Sequence, residues 1–235
     1  MLNIAKELNF PVTAFIQRND NGYNIKYFTP TTEIPACGHA TLAATKVAAL
    51  EDNNSTPVFH TANNVVIKAI SEGDLIMMTY PEYSVKEFDV TQEMLDSLRL
   101  REYKSAWLCT ELEAVFIELD DAIILKTVQP DYAALVKSND TIAEVVLTCA
   151  GESNYDFILR AFCPWIGIEE DPVTGSVHSV LAGFWKERLH KNELKAYQAS
   201  ARGGEVIVKY HPGKIQIGGR VTIHSSGTSP HTYSQ

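Results

Sequence analysis

A chain of 235 residues, 45% hydrophobic and 21% charged, can build one large domain or two of about 100 residues each. Its formal net charge of −9 argues against a nucleic-acid partner, which needs a basic stripe, but leaves room for a small anionic ligand held by a few pocket N–H groups. Four cysteines with no Cys-x-x-Cys spacing, an N-terminus unlike a signal peptide and no apolar run of about 20 residues set the expectation of a cytoplasmic protein that does not enter the membrane.

The chain opens in a helical pattern of Leu2, Ile4, Ala5 and Leu8, which Asn9-Phe10-Pro11 ends. Residues 13–17 and 23–28 read as strands joined through Asn19-Asp20-Asn21-Gly22, which predicts a hairpin. Residues 30–35 are irregular and carry Glu33. The Ala-rich run from Gly38 to Leu50 has no Pro and no internal Gly and predicts a helix, stopped by Glu51-Asp52-Asn53-Asn54. Strands are expected over 58–60, 64–70 and 75–80, with a turn at Glu72-Gly73-Asp74, then a short helix over 90–100 with Thr91 as its N-cap.

The second half repeats the style. Residues 106–110, 114–119, 122–126, 142–149 and 156–162 read as strands, and 131–137 as a short helix. An irregular stretch over 164–172 holds Glu169, Glu170 and Asp171, the two glutamates expected in solvent. A long helix over 175–189 follows, then strands over 196–201, 205–210, 214–217 and 221–224. The pattern predicts an α+β protein of two similar lobes. Lobe one spans 1–99 around a helix near 38–50, lobe two spans 100–225 around a helix near 175–189, and 226–235 is a mobile tail. A ligand would sit in the cleft between lobes.

Two stretches carry the chemistry. Glu33-Ile34-Pro35-Ala36-Cys37-Gly38-His39-Ala40 and Asp171-Pro172-Val173-Thr174-Gly175-Ser176-Val177-His178 each set a carboxylate a few residues before a glycine that opens a helical run. A helix opening offers unpaired N–H groups and a partial positive charge, and glycine lets a ligand approach the backbone. Glu33, among apolar neighbours, has the residue type for general acid and base work. Cys37, directly before a helix, is expected to have a lowered thiol pKa, and His39 can donate to a ligand carboxylate. Thr174 and Ser176 can cap the second helix or bind a ligand oxygen. Blander readings exist for each: a surface glutamate, a small buried cysteine, a packed histidine. The sequence has no metal-ligand spacing and no phosphate-cradling glycine loop.

Tyr27 to Glu33, Cys37 to Ala43, Glu170 to His178 and Gln198 to Glu205 occur in the order and spacing of the phenazine-biosynthesis PhzF-like family, which the chain resembles over nearly its whole length. The resemblance implies the diaminopimelate epimerase fold, in which each lobe curves a barrel-like sheet around one central helix. It further implies cofactor-free isomerase chemistry on a small carboxylic acid and a homodimer. Glu33 matches the acid/base glutamate, and Asp171 and Ser176 match substrate-holding positions; His60 corresponds loosely to a family histidine. Lobe one is expected to lack the family's first strands. Where related epimerases carry two opposed cysteines, this chain has Cys37 and Thr174, which favours a Glu33-centred proton shuttle over a two-thiol mechanism. A Cys37-dependent racemase and a non-catalytic metabolite-binding protein are the alternatives.

Overall fold

The computed structural model describes residues 1–63 and 65–227. Helix α1 (Leu2–Leu8) leads into the hairpin of β1 (Thr13–Asn19) and β2 (Gly22–Phe28), registered from Thr13 opposite Phe28 to Asn19 opposite Gly22. The short β3 (Glu33–Ile34) adds to β2, and helix α2 (Gly38–Asp52) follows. Strand β4 (Val58–Thr61) lies parallel to β2, and β5 (Val66–Glu72) and β6 (Leu75–Pro81) continue antiparallel.

Small side chains explain why α2 lies close on this sheet. Ala40, Thr41, Ala44, Thr45 and Ala48 recur at helical spacing and are all buried, packing against Tyr23, Ile25, Tyr27 and Phe59. Each buried threonine spends its hydroxyl inside the helix: Thr41 donates to the Cys37 carbonyl at 2.8 Å and Thr45 to that of Thr41 at 2.8 Å.

The second half contains β7 (Lys86–Glu87), α3 (Gln92–Leu98), β8 (Ser105–Cys109), β9 (Ala114–Glu118), α4 (Ala122–Thr127), α5 (Tyr132–Ser138), β10 (Glu144–Ala150) and β11 (Phe157–Phe162). After a 3-10 turn at Pro164–Ile166 come α6 (His178–Leu189), β12 (Glu193–Gln198), β13 (Gly204–His211) and β14 (Lys214–Arg220). Strands β9, β10 and β11 are buried on both faces, which is why they read as unbroken apolar runs. Val146 and its neighbours face α6, whose Val180, Leu181 and Trp185, with Val177 just before the helix, fill the lobe's core. Val145 and Leu147 face the other way, onto Met94, Leu98, Leu125 and Leu135 of α3, α4 and α5.

The strands form one continuous path, β1-β2-β4-β5-β6-β14-β13-β12-β11-β10-β9-β8-β7, with β3 off β2. The halves join where β14 pairs antiparallel with β6, from Lys214 opposite Pro81 to Arg220 opposite Leu75. The fold is therefore mixed α+β, a large curved sheet with a central helix in each half. Helix α3, which the sequence assigns to lobe one, packs with α5 in the second half's outer core, and β7 pairs with β8.

Several expected elements differ. Residues 122–126 form helix α4 and not a strand: Asp121 caps it by accepting from Ile123 N at 2.6 Å, and only Leu125 is buried. No strand forms over 221–224, since β14 ends at Arg220 and Val221 N turns to the Asp74 carbonyl at 3.1 Å. The strand expected over 196–201 is Glu193–Gln198, and that expected from 64 begins at Val66. Regular α6 starts at His178, three residues late. Gly175, Ser176 and Val177 each accept from the residue three ahead, a tighter turn that precedes the helix. Of the expected tail, 228–235 lie outside the described residues.

Candidate active site

The openings of α2 and α6 meet. A methyl group on Gly38 would stand 3.7 Å from the Cα of Gly175 and 3.0 Å from Tyr80 Oη, and one on Gly175 would stand 3.2 Å from the same hydroxyl. Any larger side chain at either position would fill the throat between the lobes. Around this contact lies a cleft of about 300 Å³, whose ionisable lining residues are Cys37, His39, Tyr80, Glu144, Cys163 and Asp171. Thr174 and Ser176 line it too. Its lobe-one wall is apolar, with Val12, Ile34 and Ala36.

The two openings are not equivalent. At α2, Cys37 is the N-cap and makes no side-chain cap hydrogen bond; the His39 and Ala40 amides favour its thiolate only weakly. At the α6 opening the Gly175, Ser176 and Val177 N–H groups meet no backbone carbonyl among the described residues. These amides form an anion seat, and the partial positive charge of the helix opening adds to the attraction.

The Asp171 loop is held from below. Fully buried Gln198 accepts from Thr174 N at 2.6 Å and donates to the Asp171 carbonyl at 2.7 Å. Thr174 donates its hydroxyl to Asp171 Oδ2 at 2.5 Å, and Ser200 donates to the Pro172 carbonyl at 2.8 Å. Glu170, expected in solvent, is instead clamped by buried Arg160, Nε to Oε1 at 2.7 Å and Nη2 to Oε2 at 2.9 Å. The next residue therefore enters the cleft from a fixed backbone.

On the facing side, His39 Nδ1 lies 3.3 Å from the Val173 carbonyl, which ties the two openings together, and its ring lies against the Cys37 sulfur. The lowered thiol pKa expected at Cys37 does not occur. Burial pushes the thiol up to about 12, and the nearby Asp171 charge adds to that; the His39 and Ala40 amides pull it back only partly. Cys163 and Tyr80 are likewise held protonated by burial.

Two expected site residues do not line the cleft itself. Glu33 lies on β3 with 44% of its side chain exposed and a loose 3.9 Å ion pair to Lys26, in a surface groove that shares Ile34 with the cleft. His60 is on β4 at the outer face, its Nε2 3.4 Å from the Asn21 carbonyl. The structure thus lines one cleft with Cys37, Gly38, His39, Asp171, Thr174, Gly175 and Ser176, sets Glu33 next to it beyond Ile34, and leaves His60 on β4 away from it. Sequence reasoning missed Glu144, because a charged residue opening an apolar strand reads as a strand end. It also left Tyr80 without a role, since nothing in spacing says which aromatic reaches a seam. Among the described residues no group of His, Cys, Asp and Glu could hold a metal ion, and no helix is long and apolar enough to cross a membrane.

A curved sheet in two halves, each with a central helix whose opening faces the other across a polar-based cleft, is the architecture of the epimerase-like isomerases. The chain belongs to the phenazine biosynthesis-like (PhzF) family, whose model matches residues 1–227. It is similar to an uncharacterized isomerase of Halalkalibacterium halodurans, 35% identical over 95% of this chain and 84% of the relative. It is also similar to the crystal structure of a putative PhzC/PhzF protein from Clostridium difficile, with a TM-score of 0.89 at 31% identity, covering 98% of this chain and 87% of that one. The PhzF family protein of Enterococcus faecalis gives 0.86 at 30%, over 95% and 84%. A predicted epimerase of Pseudomonas aeruginosa shares the fold at a TM-score of 0.63 and 14% identity, covering 96% of this chain and 88% of that one.

Proposed function

We propose that the protein is a cofactor-independent isomerase that moves a proton at carbon on a small carboxylic acid bound between α2 and α6. One observation carries the reading: two glycine-opened helix starts face each other across a cleft that also holds carboxylates. The substrate carboxylate docks on the Gly175–Ser176 amides, with the Gly38 N–H opposite. Asp171, set by Thr174 and Gln198, and the Ser176 hydroxyl orient the rest of the molecule. Charge that develops beside the substrate carboxylate when a C–H bond breaks is then met by fixed N–H dipoles. The relatives' names support the isomerase class.

In the sequence reading, Glu33 moves the proton. Glu33 stands half-exposed beside the cleft, next to the lining residue Ile34, so the role requires substrate binding to bring the carboxylate and the carbon to contact distance. The protonated state of Cys37 weighs against the thiol-base alternative.

The test uses a panel of small 2-amino, 2-hydroxy and unsaturated carboxylic acids incubated with the protein in deuterium oxide. Mass spectrometry reads deuterium gained at carbon. At least one acid should exchange, and Asp171→Asn should slow that exchange by about a hundredfold. Acids that raise the melting temperature but never exchange would leave a metabolite-binding protein and sink the isomerase reading.

A further inference from the structure

We propose that Tyr80 is a substrate-binding residue of this cleft. Its hydroxyl donates to the substrate carboxylate at the α6 opening and holds it more tightly as the neighbouring carbon gives up its proton. The catalytic part rests on the isomerase reading above and adds a donor that reading leaves out.

Three observations support it. The first is placement. Tyr80 belongs to neither central helix. It stands on β6, opposite Ile215 of β14, in the ladder that joins the halves. From there its Oη reaches the point where the helix openings meet. It lies 3.0 Å from where a Cβ on Gly38 would stand and 3.2 Å from where one on Gly175 would stand. The Cα of each glycine is at most one C–C bond further away. One hydroxyl therefore faces both openings, and the two glycines keep the space beside it clear.

The second is the lack of a partner within the chain. A phenol in a packed setting normally finds a hydrogen-bond partner. Tyr27, which also stands near Cys37, has one in Thr41 Oγ1 at 2.6 Å. Tyr155 donates to Glu205 at 2.7 Å, and Tyr210 to Glu82 at 3.1 Å. Tyr80 lines the cleft, and its Oη makes no hydrogen bond with any described residue. An acceptor for it has to come from a bound molecule.

The third is its chemistry as a donor. Burial, then nearby Cys37 and Tyr27, raise the proton affinity of the phenol well above that of a tyrosine in water. At neutral pH it donates a hydrogen bond and does not act as a base. The backbone beside it is of the same kind, since the Gly175, Ser176 and Val177 N–H groups meet no backbone carbonyl among the described residues. A hydroxyl from β6 and amides from the α6 opening make one set of donors around one point. Such a set selects an anion with many lone pairs, and a carboxylate offers about four acceptor sites.

The step balances within the substrate and its base. When the C–H bond beside the carboxylate breaks, the base takes the proton and the electron pair stays on the substrate, spread into the carboxylate oxygens. Charge grows on the atoms that Tyr80 and the amides already hold, so their hydrogen bonds strengthen on the way to the transition state. The pair then takes a proton back, on the other face or at another carbon. Tyr80 keeps its own proton throughout, and nothing is oxidised or reduced.

Two measurements on Tyr80→Phe test this, because that variant removes the hydroxyl and leaves the ring. The first needs no substrate. A hydroxyl with no partner in the chain adds nothing to the fold, so Tyr80→Phe should melt at or slightly above the wild-type temperature. A fall of about 3 °C or more, the cost of losing one internal hydrogen bond in a protein of this size, overturns the proposal. The second is the deuterium panel. The acid that the wild type exchanges fastest should exchange at least tenfold more slowly in Tyr80→Phe at saturation, with KM rising no more than about threefold. Tyr103→Phe, whose hydroxyl accepts from Val90 N outside the cleft, should stay within about twofold of the wild type. Wild-type exchange in Tyr80→Phe overturns the proposal while the isomerase reading stands. If the wild type exchanges no acid, that reading fails and binding alone decides. Acids that raise the wild-type melting temperature should then raise that of Tyr80→Phe less, and equal shifts overturn the proposal. A wild type that neither exchanges nor binds any acid overturns both.

Discussion

Cys37 occupies a position that in many proteins makes a reactive thiol, directly before a helix. Two effects compete there: N–H groups that favour the thiolate, and burial that opposes any charge. The sulfur sits deep in the cleft beside the Asp171 charge, so burial wins and the thiol rises from 9.0 to about 12. At pH 7 it then carries about a thousandfold less thiolate than an ordinary cysteine. The other three cysteines are buried, so alkylation reports on Cys37. Iodoacetamide should label it at least a hundredfold more slowly than free cysteine at pH 7, with the rate climbing about tenfold per pH unit. The same sign governs stability: the contribution of a raised thiol is whole below pH 9 and lost as pH rises toward 12. Cys37→Ser should keep deuterium exchange within about tenfold. Fast labelling at neutral pH, with activity lost alongside, would restore the racemase reading in which Cys37 is a base.

At the scale of elements, the seam between β6 and β14 decides whether the helix openings can face each other. Gly218 makes it possible. A Cβ there would lie 2.1 Å from the Ile76 carbonyl oxygen and 2.3 Å from the Met77 sulfur, so any side chain forces the strands apart. Gly218→Ala should cost about 2 kcal/mol in urea unfolding, near the usual penalty for overpacking, and Gly213→Ala should not show that steric loss. Gly213 has open space, and its cost comes only from its positive φ of 75°. The sequence makes the helices legible, because Ala-rich α2 and the apolar run of α6 have clear periods and stops. It makes the hairpin of β1 and β2 legible through its turn residues. It does not reveal that Gly218 serves an inter-lobe contact, since two glycines in a row read as a turn wherever they pack. The six-residue α4 fails for a related reason: Ala122-Ile123-Ile124-Leu125 has strand composition, and only the Asp121 cap and the burial of Leu125 alone mark it as helix. The site is legible in its backbone half, Gly38, Gly175, Asp171 and Thr174, where motifs are local. Glu144 and Tyr80 come from β10 and β6, and only the packed sheet brings them to the cleft.

For the whole molecule, Tyr80 is a residue that packs on the cores of both halves. It packs on the core around α6 and also on the small cluster of Ala69, Ile76 and Met78 that touches Leu42 of α2. The halves have unequal resources. The core around α2 depends on Tyr23, Ile25, Tyr27, Phe59 and a row of alanines, while the second half has cores on both faces of its sheet. Burial of apolar area scales with these sets, so the first half needs the seam more than the second does. Tyr80→Ala should lower global stability by about 2 kcal/mol, less than the loss of a fully buried ring, because Tyr80 is only partly buried. It should also split the unfolding transition. Trp107, Trp165 and Trp185 all lie in the second half, so fluorescence follows that half while far-UV ellipticity follows both. In the wild type the two signals should coincide through urea unfolding; in Tyr80→Ala, ellipticity should begin to fall first as the α2 half lets go. Coincident curves in the variant would mean that the β6–β14 ladder alone couples the halves. A split would mean that the hydroxyl-bearing ring over Gly38 and Gly175 holds the lobes in register, so that loosening it opens the cleft before either lobe unfolds.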